Sequence, residues 1–342
     1  MRDRNGLKIL YHIPYPSVTS ADRWIYEGWR DAFLDLGYSF YEFTAFDDLK
    51  TKTSIICPDI FMTAVNLLDF SKQIKTLKAI RKNGTKVLVW VDWPMPAATI
   101  DAFKSEEIVD LFFGEREPES MIEFERMVGR KYALIPNAAN KKVHFPTVCN
   151  PKYQYDVVYL GAKLPMKMWF FENVLLPLKK KYSVGIFGPY WTVKDNALRG
   201  LAKIAKTLHS QRLVALLNEL RIVIPREAEN QLYSSAKIAL NFHERASDGS
   251  QPHYIVNQRA FKIAACGGFQ ISDAVPALRK YYADDELIMA SATDAKDWIA
   301  KVEFYIACHQ ERECIRKKGI ERTHNEHTYH NRVNDILSLI GK

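Results

Sequence analysis

The stretches KIALNF (237–242) and NQRAFKIAACGGFQISD (257–273) decide the fold of this chain. The first reads as a buried strand. The second opens with polar residues, continues with apolar residues at helical spacing as far as Gly267-Gly268, and ends in another apolar run. Glycine directly after a helix is a common C-terminal signal. Strand, helix and strand in this order predict a parallel β-α-β unit with a right-handed crossover.

The same alternation of strand-like and helix-like segments fills the rest of the chain. We predict strands at 8–11, 38–43, 59–65, 86–91, 109–113, 133–136, 156–160, 183–187, 237–242 and 269–272. We predict helices at 24–36, 70–82, 166–181 and 257–265, with the remainder after 272 largely helical. Two such series in tandem predict an α/β protein of two Rossmann-like, doubly wound domains, with a ligand cleft at the carboxyl ends of the strands.

A change in composition near 144–155, where two prolines stand among polar residues, indicates a linker. We therefore predict an N-terminal domain at 1–147 and a second domain at 148–327, with a C-terminal helix at 328–342 that packs back on the first. Residues 196–220 read as an inserted pair of helices. The first carries Arg199, Lys203 and Lys206 on one face, which suits either a solvated surface or a polyanion.

Composition narrows the class of protein. The chain is 47% hydrophobic and 26% charged, as in globular proteins, and no apolar run is long enough for a transmembrane helix. Its five cysteines include no CxxC pair, which favours a reducing compartment and argues against a zinc site. We therefore expect a cytoplasmic protein without a metal centre. The net charge of +8 indicates either a lysine-rich surface or a polyanionic partner.

An anion site is predicted at the start of the helix that follows Asn257. The loop 244–254 and the first helical turn present backbone N–H groups and the positive end of the helix dipole. Arg259 lies in that turn, where its guanidinium suits a bidentate contact to a diphosphate. The alternative is that Arg259 only caps or pairs locally.

These motifs resemble the CgeB-like, spore-maturation-type glycosyltransferases, which belong to the GT-B group. The resemblance rests on Tyr-x-x-Ala-Lys-Ile-x-Leu-Asn at 233–241, Asn-x-Arg-x-Phe at 257–261, Ala-Cys-Gly-Gly-Phe at 265–269, the acidic Asp273 and His-Thr-Tyr-x-x-Arg at 327–332. It covers roughly 156 to the C-terminus, apart from the inserted helices. The first half of the chain resembles the family only in its strand and helix plan.

The resemblance implies a nucleotide-sugar donor, most simply a UDP-sugar, held mainly by the C-terminal domain, with no further cofactor. The donor-binding residues that we expect are Gly161, Lys163, Gly188, Tyr190, Trp191, His243, Arg245, Asn257, Arg259 and Lys262. Lys163 is expected to neutralise the departing diphosphate, and Tyr190 or Trp191 either stacks near the nucleobase or serves ordinary packing. The family usually has a glutamate at position 262, where this chain has lysine.

The resemblance assigns the acceptor and the general base to the N-terminal domain. Asp92 follows a buried strand, where its carboxylate is placed either to accept the acceptor proton or to cap the next element. His12 and Glu115 are the other candidate bases. Candidate acceptor-binding residues are Ser17, Ser20 and Arg23 after the first strand, and Arg199, Lys203 and Lys206 on the insert.

The expected function is transfer of a sugar to an acceptor hydroxyl. A polyanionic acceptor, such as a hydroxymethylated base in phage-type DNA or an envelope polymer, suits the basic surface. Two alternatives stay open: a binding module of the same fold with altered catalysis, for which Lys262 is the motive, and a nucleotide-sugar epimerase.

Overall fold

The computed structural model describes residues 6–13, 21–221, 224–244 and 255–342. The chain divides into two compact units, unit 1 comprising Met1–Pro136 with Tyr329–Lys342, and unit 2 comprising Asn137–Thr328. Unit 2 thus begins ahead of the boundary at 147 that composition suggested, and it includes the proline-containing stretch that reads as a linker.

Unit 1 is built on a six-stranded parallel sheet in the order β2-β1-β3-β4-β5-β6. Its strands are β1 (Lys8–His12), β2 (Ser39–Phe43), β3 (Ile60–Ala64), β4 (Lys86–Trp90), β5 (Leu111–Gly114) and β6 (Tyr132–Leu134). Its first helices are α1 (Ala21–Asp35), α2 (Leu49–Ile56), α3 (Phe70–Lys82), α4 (Ala97–Ser105) and α5 (Ile122–Val128). β3 and β4 are almost wholly buried because helices cover both faces of a parallel sheet.

Unit 2 contains a five-stranded parallel sheet in the order β11-β10-β9-β7-β8. Its strands are β7 (Val157–Leu160), β8 (Val184–Phe187), β9 (Ile238–Asn241), β10 (Gln270–Asp273) and β11 (Ile288–Ala290). The chain places β8 on one side of β7 and β9 on the other. The carboxyl ends of β7 and β9 therefore flank the point where the winding reverses, which is where open α/β sheets bind ligands.

Helices connect these strands in chain order. After β7, a helical stretch consists of turn 165–167, α6 (Met168–Phe170), the π-helical turn Phe171–Leu175 and α7 (Leu176–Lys181). The later helices of unit 2 are α8 (Val193–Thr207), α9 (Gln211–Glu219), α10 (Arg226–Ser235), α11 (Gln258–Ala265), α12 (Ala295–Ala307) and α13 (His309–Glu326). The last helix, α14 (Tyr329–Leu339), belongs to unit 1, where Tyr329 packs edge-on against Trp29 of α1 with ring centroids 5.4 Å apart.

The prediction of two parallel-sheet, Rossmann-like units is confirmed. The inserted helices are present as α8 and α9. Four helices (α2, α4, α5 and α10) and the short strand β11 have no counterpart among the predicted elements.

Candidate functional site

The carboxyl ends of β7 and β8 meet through two glycines. The Gly161 N–H donates to the Phe187 carbonyl at 2.8 Å, and the Trp191 indole N–H donates to the Gly161 carbonyl at 2.7 Å. Gly188 has φ +131°, and a Cβ there would overlap the Gly161 carbonyl. Only glycine fits such a backbone approach. The two strand ends therefore form a bare backbone surface beside the crevice.

Arg259 lies against this surface from the first turn of α11. Asn257 is the N-cap of the helix, and its side-chain oxygen accepts from the Ala260 N–H at 3.2 Å. The Arg259 guanidinium lies over the Tyr159 ring at 5.4 Å, and a Cβ on Gly161 would lie only 2.6 Å from Nη1. Nη1 is buried and has no hydrogen-bond partner in the described part of the chain. A buried guanidinium with an unused donor is a strong anion ligand.

Lys167 is a second cation of this site, and sequence reasoning missed it. It ends turn 165–167 and is 2% exposed, with Nζ 3.5 Å from the Glu244 carboxylate. Burial and, to a smaller extent, the positive charge of Arg259 lower the pKa of the Lys167 ammonium to about 8, with the Glu244 carboxylate partly offsetting both effects. The signal in the sequence is the second lysine of KLPMK (163–167), which we had placed at the start of a helix.

Lys163, which we did predict, stands with its ammonium 5.6 Å from the centroid of the Trp191 ring. Trp191 is packed edge-on against Phe171 at 4.9 Å and hydrogen-bonded to Gly161. Through these contacts Trp191 stabilises the turn after β8.

A buried polar network follows β9 and β10. The His243 N–H donates to both oxygens of Asp273, at 3.0 and 3.2 Å, and His243 Nδ1 lies 2.7 Å from Asp273 Oδ1. Asn257 Nδ2 donates to the Asn241 side chain at 3.0 Å, and Asn241 donates to Ser272 at 3.2 Å. His243 Nε2 is buried without a partner among the residues described. The network fixes the imidazole and leaves one ring nitrogen for a ligand.

Lys262, predicted to contact the donor, is engaged elsewhere. It is buried in α11, and its ammonium lies 2.5 Å from the buried Glu229 carboxylate of α10. The ion pair neutralises both groups inside unit 2.

Tyr190 and Arg199 form one cluster rather than two separate surfaces. Tyr190 has φ +69°, and the centroid of its ring lies 4.7 Å from the guanidinium of Arg199 and 5.7 Å from that of Arg221. Asp195 accepts from the Tyr190 N–H at 2.6 Å and from Arg221 Nε at 2.9 Å. Arg199 is thus held at the turn after β8, whereas Lys203 and Lys206 are exposed on α8.

In unit 1, two candidate bases follow neighbouring strands at the same edge of the sheet. Asp92 follows β4 and Glu115 follows β5, and these strands pair with Trp90 opposite Phe113. The Asp92 side chain is 64% exposed, and one oxygen lies 3.9 Å from Arg116 Nη2. The Asp92 carboxylate is therefore accessible to a substrate.

His12, the third candidate base, is a core residue. It is 4% exposed, its Nδ1 lies 2.9 Å from the Thr63 hydroxyl, and its ring packs edge-on against Phe43. Burial lowers the pKa of His12 to about 4, against a smaller raising effect of Asp47. The imidazole is therefore neutral at pH 7 and too weakly basic to take up a proton efficiently.

Of the predicted acceptor residues after β1, the structure describes only Arg23. Its Nε lies 3.1 Å from the Glu27 carboxylate one turn further along α1. Ser17 and Ser20, like the predicted donor residue Arg245, lie outside the described residues.

Within 6–13, 21–221, 224–244 and 255–342, no cluster of three or more His, Cys, Asp or Glu side chains is arranged to hold a metal ion. Over the same ranges, no helix combines the length and the apolar character needed to cross a membrane.

Solved structures similar to this chain share its fold. A sucrose-phosphate synthase from Thermosynechococcus elongatus matches with a TM-score of 0.64 and 14% identity over 97% of this chain and 98% of the other. A glycosyltransferase from Rickettsia africae matches with a TM-score of 0.65 and 11% identity over 98% of each chain. An alpha-glucosyltransferase in complex with UDP and a 13-mer DNA containing an HMU base matches with a TM-score of 0.67 and 10% identity over 99% and 100%.

These matches identify the fold as GT-B. No curated protein matches the sequence. The model of the family described as glycosyl transferase-like matches residues 168–338, which include Arg259, His243 and the closing His-Thr-Tyr-x-x-Arg motif. Because this match spans half of the chain, the chain belongs to the glycosyl transferase-like family and is a glycosyltransferase.

Proposed function

We propose that this glycosyltransferase takes its sugar from a UDP-linked donor whose diphosphate binds at the crevice between β7 and β9. The observation that carries the proposal is a pair of buried cations: Arg259, whose Nη1 lies against the bare backbone at Gly161, and Lys167, whose ammonium is close enough to Arg259 for the two charges to interact. Backbone N–H groups at the start of α11 add to the positive potential. The solved structure of Anabaena HepE with UDP and glucose, 10% identical with a TM-score of 0.59, agrees with a UDP donor.

In the proposed reaction, the oxygen of the acceptor hydroxyl forms a bond to the anomeric carbon of the sugar. The bond between that carbon and the diphosphate oxygen breaks, and its electron pair leaves with UDP. Lys163, Lys167 and Arg259 stabilise the negative charge that develops there, a task that a divalent ion performs in other enzymes. We therefore propose that no metal ion is required.

We propose Asp92 as the group that accepts the acceptor proton, because its carboxylate is exposed at the carboxyl end of β4. Glu115, on the neighbouring strand end, is the second choice. His243 is proposed as a donor ligand through Nε2, and Tyr190 as the aromatic side of the nucleobase site. The ordered motifs at 233–241, 257–261 and 327–332 support assignment to the CgeB-like branch of the family.

The experiment is a panel of nucleotide-sugars, scored for donor hydrolysis and for transfer. We expect release of UDP with at least one UDP-sugar, and Asp92→Asn should retain donor binding while turnover falls by about two to four orders of magnitude. Asp101→Asn, an exposed carboxylate on α4, is the matched control and should leave turnover unchanged. If no nucleotide-sugar is bound or cleaved, the proposal is wrong, and the alternative of a binding module with altered catalysis is favoured.

Two acceptor classes are proposed. A hydroxymethylated base in DNA is suggested by the DNA complexes among the similar structures, and an envelope polymer by the basic surface alone. Binding to duplex DNA should weaken steeply with salt, with a log–log slope of about −0.9 for each phosphate contacted. Salt-insensitive or undetectable binding to hydroxymethylated duplexes would leave the envelope polymer.

A further inference from the structure

The two inserted helices form a hairpin with a small core of its own. A short turn at 208–210 joins α8 to α9, and the helices pack through Ala202, Ala205, Val214 and Leu217. Packed helices joined by so short a turn run in opposite directions. The hairpin therefore has two broad faces in addition to the seam where the helices meet.

One of these faces is apolar and uncovered. Six leucine or isoleucine side chains on it are between 42% and 70% exposed: Leu201 and Ile204 on α8 with its C-cap Leu208, and Leu213 and Leu216 on α9 with its C-cap Leu220. Each of the six directly precedes a residue that lies at the seam, or that continues the line of seam residues along the helix. Leu201 precedes Ala202, for example, and Leu213 precedes Val214. One residue is a rotation of about 100° around a helix. In two antiparallel helices this rotation turns both stripes toward the same side, so the six side chains share one face.

Basic residues border this apolar face. Arg212 immediately precedes Leu213, which places it about 100° further toward the outer flank of α9. Lys203 lies about 100° from Ile204 but directly follows the seam residue Ala202, so it stands at the border with the opposite face of α8. Both are exposed. In α8 and α9, basic residues outnumber the acidic Asp195 and Glu219, and Asp195 is already paired with Arg221.

An apolar face bordered by basic residues favours some binding partners over others. The phosphates of DNA would satisfy the lysines and the arginine but would leave six aliphatic side chains in water. A second copy would cover the aliphatic side chains but would bring together two hairpins of the same positive charge. An anionic bilayer accepts both, because aliphatic side chains enter the acyl boundary while lysine and arginine heads reach the phosphates.

We propose that the α8–α9 hairpin docks this enzyme onto an anionic lipid bilayer, with the six-residue apolar face inserted at the level of the headgroups. The proposal does not depend on the donor or on the identity of the base. It favours an acceptor presented at a membrane, hence the envelope class, over a base in DNA.

The test is co-sedimentation of the full-length protein with vesicles of phosphatidylcholine alone or mixed with phosphatidylglycerol. We expect binding to the mixed vesicles and little to phosphatidylcholine alone. The triple variant L201S/I204S/L208S should lower the partition coefficient by about tenfold or more, since it removes the inserted aliphatic carbons. Lys203→Gln with Arg212→Gln should lower it by roughly fivefold for each residue at low salt.

The matched control is I55S/I122S/L339S, which removes three comparably exposed aliphatic side chains from unit 1 and should leave vesicle binding unchanged. Thermal unfolding of both triple variants should match that of the parent, because none of these side chains is buried. Three outcomes would overturn the proposal: no sedimentation with the mixed vesicles, equal sedimentation of L201S/I204S/L208S and the parent, or binding to duplex DNA that Lys203→Gln with Arg212→Gln abolishes while the mixed vesicles stay unbound.

Discussion

Lys167 owes its proposed role to its burial, which its position in the sequence does not reveal. Its ammonium lies in a low-dielectric environment beside Arg259, with the Glu244 carboxylate at 3.5 Å as compensation. Two neighbouring buried cations repel each other, and one carboxylate compensates only part of their charge. In the proposed function, the site is thus organised for a diphosphate before the donor binds.

This arrangement predicts that donor affinity depends on pH. In the free protein the pKa of Lys167 is about 8, so the ammonium is charged below that pH and neutral above it. A bound diphosphate favours the charged form and raises the pKa, so donor binding takes up a proton. UDP affinity should be highest near pH 7, where UDP is fully ionised and Lys167 is charged, and should fall by up to about tenfold per pH unit above 8. Titrations of the parent protein with UDP at several pH values should show this fall. The Lys167→Met variant should bind UDP weakly at every pH, and its affinity should not fall above pH 8. A parent protein with a flat profile would contradict the assignment.

Lys262 leads to a prediction about stability rather than about donor binding. Because the Glu229 carboxylate is buried beside it, Lys262→Met should cost about 3–5 kcal/mol in the free energy of unfolding. The double variant with Glu229→Leu should recover most of this loss, since no charge then stays buried alone. Lys262→Glu, which restores the family residue, should also destabilise because it opposes two carboxylates. Urea unfolding curves measure all three, and a cost below about 1 kcal/mol for the first would return Lys262 to the list of donor ligands.

At the scale of elements, the turn between β8 and α8 depends on the backbone of Gly188. Its φ of +131° and its approach to the Gly161 carbonyl leave no room for a side chain. Gly188→Ala should therefore destabilise unit 2 by about 1–3 kcal/mol and weaken UDP binding by displacing Gly161. Gly200→Ala is the control, because a Cβ there meets nothing within 4 Å and the helix should gain about 0.5–1 kcal/mol. Thermal unfolding and UDP titration together check the pair, and equal behaviour of the two variants would be contrary evidence.

The elements that the sequence predicts are those whose pattern is local. β3 and β4 are mostly apolar, interrupted only by Thr63 in β3 and by Lys86 at the start of β4, and α3 keeps its predicted bounds because Asp69 caps its start. α2 was missed because Thr51, Thr53, Ile55 and Ile56 are β-branched, and it forms with the help of the Asp48 cap. β11 has only three residues, too few for a period to be read.

The residues of the candidate site likewise fall into those that the sequence predicts and those that it does not. Asn257, Arg259 and His243 were predicted because they stand at a strand end or a helix start, positions that a sequence reveals. Three features were not predicted: the burial of Lys167, the pairing of Lys262 with Glu229 and the stacking of Arg199 on Tyr190. Each depends on contacts between residues that are distant in the sequence or lie on different elements. Such pairings depend on how helices pack on a sheet, which no local pattern encodes.

At the scale of the whole molecule, the proposed reaction gives separate tasks to the two parallel sheets. In it, unit 2 supplies the cations and the helix start at the point where its winding reverses. Unit 1 supplies the exposed Asp92 carboxylate at the carboxyl edge of its own sheet. In the proposed enzyme, donor binding is a property of unit 2, and substitutions in unit 1 should change turnover without changing donor affinity.

The central claim is that Arg259 holds the diphosphate of a UDP-sugar, and calorimetric titration with UDP tests it most directly. The parent should bind UDP, and Arg259→Ala should weaken the affinity by about tenfold or more, as expected for loss of a charged hydrogen-bonding partner. Arg279→Ala, which removes an arginine of unit 2 paired with Asp284 instead, should bind UDP as the parent does. An Arg259→Ala protein that folds normally and binds UDP with unchanged affinity would contradict the account.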